Sequence, residues 1–197
     1  MLRTDQSDWA RPDWVAPEIP SVNLAPWLQP GDITLRKRAL YEVVRKLKPK
    51  HVFNVNSRLA FEMFETYGAR LSTFMNLYAY YFCADRDADG REVGYPVTHF
   101  AGLLKHLTSA LIDTQQLADT LSSRYSLPDD MRAKLSVIYT PAMSDAPDEP
   151  VACAQTASAD ARAGPVILWA GRFDRQKRFA LLIAVARAMP DVSFRCW

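Results

Sequence analysis

The residues best suited to chemistry stand close together near the end of the chain. The stretch Val166-Ile167-Leu168-Trp169-Ala170-Gly171-Arg172-Phe173-Asp174-Arg175-Gln176-Lys177-Arg178 puts a glycine and several cations into the turn between an apolar strand and a helix. Such a turn is a natural anion site. Amides at a helix N-terminus carry partial positive charge, Gly171 lets the backbone approach a ligand closely, and Arg172 with Lys177 can neutralise a diphosphate from two sides. In a parallel α/β sheet, ligands bind at the carboxyl ends of strands, where this turn falls. On residue types alone, a solvated surface loop is the more frequent use of a basic turn after a strand.

Other groupings suggest chemistry and then lose it. Asp85-Arg86-Asp87-Ala88-Asp89-Gly90 copies the first half of a calcium loop, but its twelfth position is Pro96 where a bidentate glutamate is required. A charged turn is the better reading. His99 and His106 are seven apart, which suits one helix face, yet two histidines do not make a zinc site. Tyr78, Tyr80, Tyr81 and Phe82 form an aromatic run that a sugar could stack on, and core packing is the more ordinary use of it. Cys83, Cys153 and Cys196 share no CxxC spacing, so they point to free thiols in a reducing cytoplasm.

The elements that would position these residues alternate. The segment to Pro30 is rich in proline and predicts little regular structure, with Trp9, Trp14 and Trp27 pinning it to a core. Asp32 predicts a helix cap, and Leu35, Ala39, Leu40, Val43, Val44 and Leu47 recur at helical spacing until Pro49 stops them. His51 to Val55 predicts a strand. Ser57 caps a helix from Arg58 to Tyr67, with Gly68 as its left-handed end. Leu71 to Phe82 then predicts a long strand, Asp89-Gly90 a turn, and the residues after His99 a helix through Leu107. Ala110 to Ile112 predicts a strand, Asp113 with Gln116 caps a helix from Gln115 to Tyr125, and Leu135 to Tyr139 makes a further strand. From Val166 the pattern is strand, helix to Ala188, and strand again at Ser193.

Alternating strands and helices imply an α/β fold with a mainly parallel sheet, because parallel neighbours need crossover helices. The expected organisation is a Rossmann-like domain over 1–140, a linker over 141–164 rich in Ala, Pro, Asp and Ser, and a second Rossmann-like domain over 165–197. The second holds one strand-helix-strand, about a fifth of a typical ~150-residue domain, so a truncated chain is expected.

Over most of Leu35 to Trp197 the sequence resembles family-four glycosyltransferases. The strongest match is Gly171-Arg172-Phe173-Asp174-Arg175-Gln176-Lys177, followed by Leu181, Leu182, Ala184, Ala186 and Pro190-Asp191-Val192-Ser193-Phe194, which looks like the opening of their donor domain. The run from Pro49 to Ser57 is similar to a first-domain strand that ends near the interdomain cleft, and Asp113 to Pro141 is similar to the last first-domain strands. The family's glycine-rich acceptor loop has no counterpart here, and no pair of donor-gripping glutamates follows Lys177 within the chain.

The resemblance implies the two-domain GT-B fold, with the first domain on the acceptor side. It implies transfer of sugar, with retention of configuration, from a nucleotide-diphosphate sugar to an unknown acceptor. Gly171, Arg172 and Lys177 would bind the donor diphosphate. Where the family often has a cleft histidine, this sequence has Asn54, Asn56 and Ser57, so Asn56 and Ser57 are candidate cleft residues. The nucleotide-sugar is a substrate, no cofactor is implied, and no metal is needed because the two cations take its role. The 197-residue chain is itself expected to be inactive. The alternative is a non-catalytic α/β binding or interaction module from a truncated or degenerate gene.

Charge and hydropathy bound the partners. A net charge of +2, from 24 basic and 22 acidic residues, gives no field to gather nucleic acid. A basic helix face of Arg36, Arg38, Arg45, Lys46 and Lys48 could touch anionic lipid, though a solvated face is the stronger reading. The N-terminus lacks the apolar core of a secretory signal, and the apolar run from Leu71 to Ala84 falls short of the ~20 residues of a membrane helix. A cytoplasmic protein is expected.

Overall fold

The computed structural model describes residues 1–4, 18–28, 31–87, 89–139, 165–169 and 177–196. The chain divides into two units, Met1–Thr140 and Pro141–Trp197.

In the first unit the chain opens with β1 (Leu2–Arg3), which pairs in parallel with β2 (Val22–Asn23), followed by α1 (Ala25–Leu28). These short elements are regular structure within the proline-rich segment before Pro30, of which 5–17 and 29–30 lie outside the described residues. Trp27 does not pin them: it is 76% exposed, and Leu24, Ala25 and Leu28 are the residues buried there. Trp9 and Trp14 lie outside the described residues.

α2 (Ile33–Leu47) buries Leu40, Tyr41 and Val44 on one stripe. Asp32 occupies its N-cap without a side-chain hydrogen bond, and Lys48 closes the helix in the left-handed region at φ 46° just before Pro49. β3 (His51–Val55) follows, then α3 (Arg58–Leu71), capped as expected by the Ser57 hydroxyl, which accepts the Ala60 N–H at 3.2 Å. Tyr41 of α2 stacks on Tyr67 of α3 at 4.3 Å.

Gly68 does not end α3. The helix runs through it to Leu71, and a Cβ at Gly68 would stand 3.3 Å from the His106 ring. Glycine inside a helix costs about 1 kcal/mol, whereas fully burying Leu71 contributes about 2 kcal/mol, so continuation wins. The apolar run from Leu71 is therefore split. Its first residue closes the helix, 72–75 form a turn, and β4 is only Asn76–Tyr81.

β5 (Asp85–Arg86) and β6 (Glu92–Val93) make an antiparallel hairpin. The expected single helix after His99 is instead two short ones, α4 (Tyr95–Thr98) and α5 (Phe100–Leu103), joined at His99. β7 (Ser109–Ile112) leads to α6 (Gln115–Arg124), where Thr114 rather than Asp113 is the cap and accepts the Leu117 N–H at 3.2 Å. α7 (Asp129–Arg132) precedes β8 (Leu135–Val137), two residues shorter than expected.

β3, β4, β7 and β8 form one parallel sheet in that spatial order. Each crossover steps one place in the same direction, and right-handed crossovers then set all their helices on one face. Burial agrees. Asn54, Leu77, Ala79, Tyr81, Ala110 and Ile112 are buried, while Phe53 and Val55 on the opposite face are 57% and 64% exposed. The core thus lies between this sheet and α3, α5 and α6, and holds Phe61, Phe64, Phe100, Leu103 and Leu121.

The second unit has β9 (Val166–Trp169), α8 (Phe179–Ala188) and β10 (Ser193–Cys196). β9 and β10 pair in parallel, from Val166 opposite Ser193 to Trp169 opposite Cys196. The molecule is therefore a mixed α/β protein with parallel sheets, as expected, and its four-strand sheet is compatible with a Rossmann-like fold.

Candidate functional site

β9 ends at Trp169, and the carboxyl end of a parallel strand is the position at which such sheets bind ligands. Gly171 and Arg172 lie outside the described residues. Lys177 is described and exposed, one residue before Arg178. Arg178 caps α8 from the left-handed region, at φ 52°, and its carbonyl accepts the Leu181 N–H at 2.9 Å. The rings of Trp169 and Phe179 lie 5.3 Å apart, so the last residue of the strand packs against the first of the helix. A short strand and a ten-residue helix thus bring a cation to a helix N-terminus, which favours an anion.

In the first unit the carboxyl end of the sheet is built by tight local bonding. Asn54 is only 3% exposed, takes the Ser57 N–H at 3.0 Å and donates to the Ser57 carbonyl at 3.2 Å. Thr4, also buried, shares a hydrogen bond with the Ser57 hydroxyl. Ser57 is consequently held as a cap with its hydroxyl already engaged. Asn56 is exposed beside it, with φ 75°, a left-handed conformation that asparagine adopts more readily than most residues. The structure places Asn56 and Ser57 side by side at the end of β3.

Sequence reasoning missed what continues this edge. Asp113, at the end of β7, accepts the Cys83 N–H at 3.0 Å and the Thr114 hydroxyl at 3.2 Å. A half-buried carboxylate is thereby fixed at the carboxyl end of a central strand. The signal in the sequence is an Asp immediately after an apolar strand, a pattern that equally suits a helix cap.

The aromatic run divides between faces. Tyr81 is fully buried, its hydroxyl has no hydrogen-bond partner, and burial, with a smaller effect of Glu65, pushes its phenol far above the ordinary value. Tyr78 and Tyr80 stand on the open face, where Tyr78 stacks on Phe53 at 4.4 Å and Tyr80 donates to the Ile138 carbonyl at 2.6 Å. Core packing therefore accounts for only one of the tyrosines.

The histidines and the acidic turn have local roles. His99 Nδ1 lies 2.8 Å from Glu65 Oε1, and its ring is nearly parallel to Phe61 at 5.3 Å. His106 packs on Gly68. Asp87 spends one carboxylate oxygen on the N–H groups of Asp89 and Arg91, both at 2.9 Å, which makes it the pivot of a turn. Among the described residues, no three His, Cys, Asp or Glu residues gather as metal ligands, and no helix is long and apolar enough to cross a membrane.

Together these features define a class: a mixed α/β protein whose four-strand parallel sheet carries polar residues at its carboxyl end. Within that class, no family model and no curated protein matches the chain.

Proposed function

We propose that this chain is part of a retaining glycosyltransferase of family four, with 1–140 on the acceptor side and 165–197 opening the donor domain of a GT-B fold. The observation that carries the reading is the run from Gly171 to Lys177. It follows a strand with a parallel partner and stands directly ahead of a helix, the arrangement that suits a diphosphate.

In this reading the Arg172 guanidinium and the Lys177 ammonium hold the donor diphosphate, and Gly171 lets the backbone approach it. As the bond from the sugar to the diphosphate breaks, negative charge grows on the leaving oxygen. The two cations bind that charge more tightly than they bind the intact donor, so they lower the barrier rather than only the ground state. Asn56 and Ser57 would face the cleft from the acceptor side. The partners are a nucleotide-sugar and an acceptor, both substrates, and a cytoplasmic location goes with such a donor.

The test is kinetic, in a longer protein that carries these residues and shows sugar transfer. Arg172→Ala and Lys177→Ala should each lower kcat/KM for the nucleotide-sugar by about 100-fold, the size of losing one charge-stabilising donor. Lys177→Arg should restore part of it. Unchanged kinetics in both alanine variants would overturn the proposal.

A further inference from the structure

Between β4 and α4 the chain leaves the sheet and forms the β5–β6 hairpin at the sheet's carboxyl end. The ladder is minimal, with Asp85 opposite Val93 and Arg86 opposite Glu92. Its turn is closed by the Gly90 N–H on the Asp87 carbonyl at 3.1 Å, with Gly90 at φ +82°. Two-residue strands do not hold a hairpin by themselves, so its position depends on what ties it to the rest.

That tie is Glu92. One carboxylate oxygen lies 3.4 Å from Arg86 on the facing strand, and the other is hydrogen-bonded by Arg124 of α6. Arg86 also donates to the Gly90 carbonyl at 3.1 Å, which links the turn to the same group. Arg124 first, and then Arg86, hold the Glu92 carboxyl below the usual carboxylate range. The pair with Arg124 bridges two parts of the fold, since Glu92 and Arg124 are 32 residues apart.

The two exits of the hairpin differ. On one side the Cys83 N–H is fixed to Asp113. On the other, Gly94 sits at φ 108° and ψ 176°, backbone that only glycine adopts without strain.

We infer that the β5–β6 hairpin is a flap at the ligand end of the sheet, latched by Glu92 to Arg124 and hinged at Gly94. The latch is half-buried and purely polar. No described residue from 83 to 94 belongs to the hydrophobic core, so the flap opens without unfolding the sheet. Ligands of parallel sheets gather at this end, and a loop placed there closes over them or admits them.

The test is hydrogen exchange by mass spectrometry on the whole chain at low salt. Glu92→Gln should speed amide exchange across 84–95 by about threefold, the scale of a lost surface ion pair, while β4 and β7 exchange as before and the thermal midpoint stays put. Arg124→Gln should do the same, and the double variant should add nothing. Raising the salt should open the flap in the wild type and leave Glu92→Gln unchanged. Glu62→Gln, which breaks a surface pair within α3, should leave the flap untouched. Equal exchange in wild type and Glu92→Gln would overturn the latch, and faster exchange throughout the sheet would assign Glu92 to global stability instead.

Discussion

His106 shows how a single residue couples packing to pH. Its ring lies against Gly68, and Lys134 donates to the Leu104 and Lys105 carbonyls nearby, at 3.2 Å each. Burial, then the charges of Lys105 and Lys134, hold its imidazole below the ordinary histidine value. The folded protein thus binds that proton less well than the unfolded chain does. Stability from this group is full above the unfolded value of about 6.5 and is lost as pH falls through the lower folded value. His106→Gln should therefore flatten that part of the acid limb. Urea midpoints at about pH 7.5 and pH 5 should differ less in the variant than in the wild type; an equal difference in both would rule this out.

At the scale of elements, the sequence was most legible where side-chain chemistry acts locally. Ser57 reads as a cap because its hydroxyl reaches an N–H three residues on, and it does so. β3 reads from its β-branched and aromatic residues. Gly68 misleads because a glycine at the end of an apolar helical stretch looks like a stop, whereas here it makes room for a ring from a distant segment. Asp113 misleads for a related reason: its partner is Cys83, thirty residues away. The candidate site was legible only as a pattern of residue types: Arg172 lies outside the described residues, and no local rule fixes where residues between a strand and a helix aim their side chains.

The sheet's two faces give an element-scale prediction. Leu77 is fully buried among the helices, while Phe53 and Val55 lie on the open face. Leu77→Ala should cost about 2–5 kcal/mol through lost burial and a cavity. Val55→Thr should change stability by no more than about 0.5 kcal/mol, and Phe53→Ser by about 0.5–1.5 kcal/mol because it also loses the stack on Tyr78. Denaturant titration of the three variants checks both statements. A large loss at Phe53 would mean that this face is covered in solution.

For the whole molecule, the two units have unequal means of holding themselves together. The buried apolar residues among those described run from Leu24 to Leu121, all within the first unit. In the second, α8 is apolar along most of its length, yet Leu181, Ile183 and Val185 are exposed, and none of its described residues is buried. One strand-helix-strand cannot bury enough surface to offset the entropy of ordering its chain, about 1–2 kcal/mol per residue for the backbone alone. A protein of residues 1–140 should therefore fold and keep the denaturant midpoint of the full chain, whereas residues 141–197 alone should show little helix by circular dichroism. If the short piece proves to be cooperatively folded, the apolar faces of α8 must be covered by a second copy of it, and its signal will then depend on concentration.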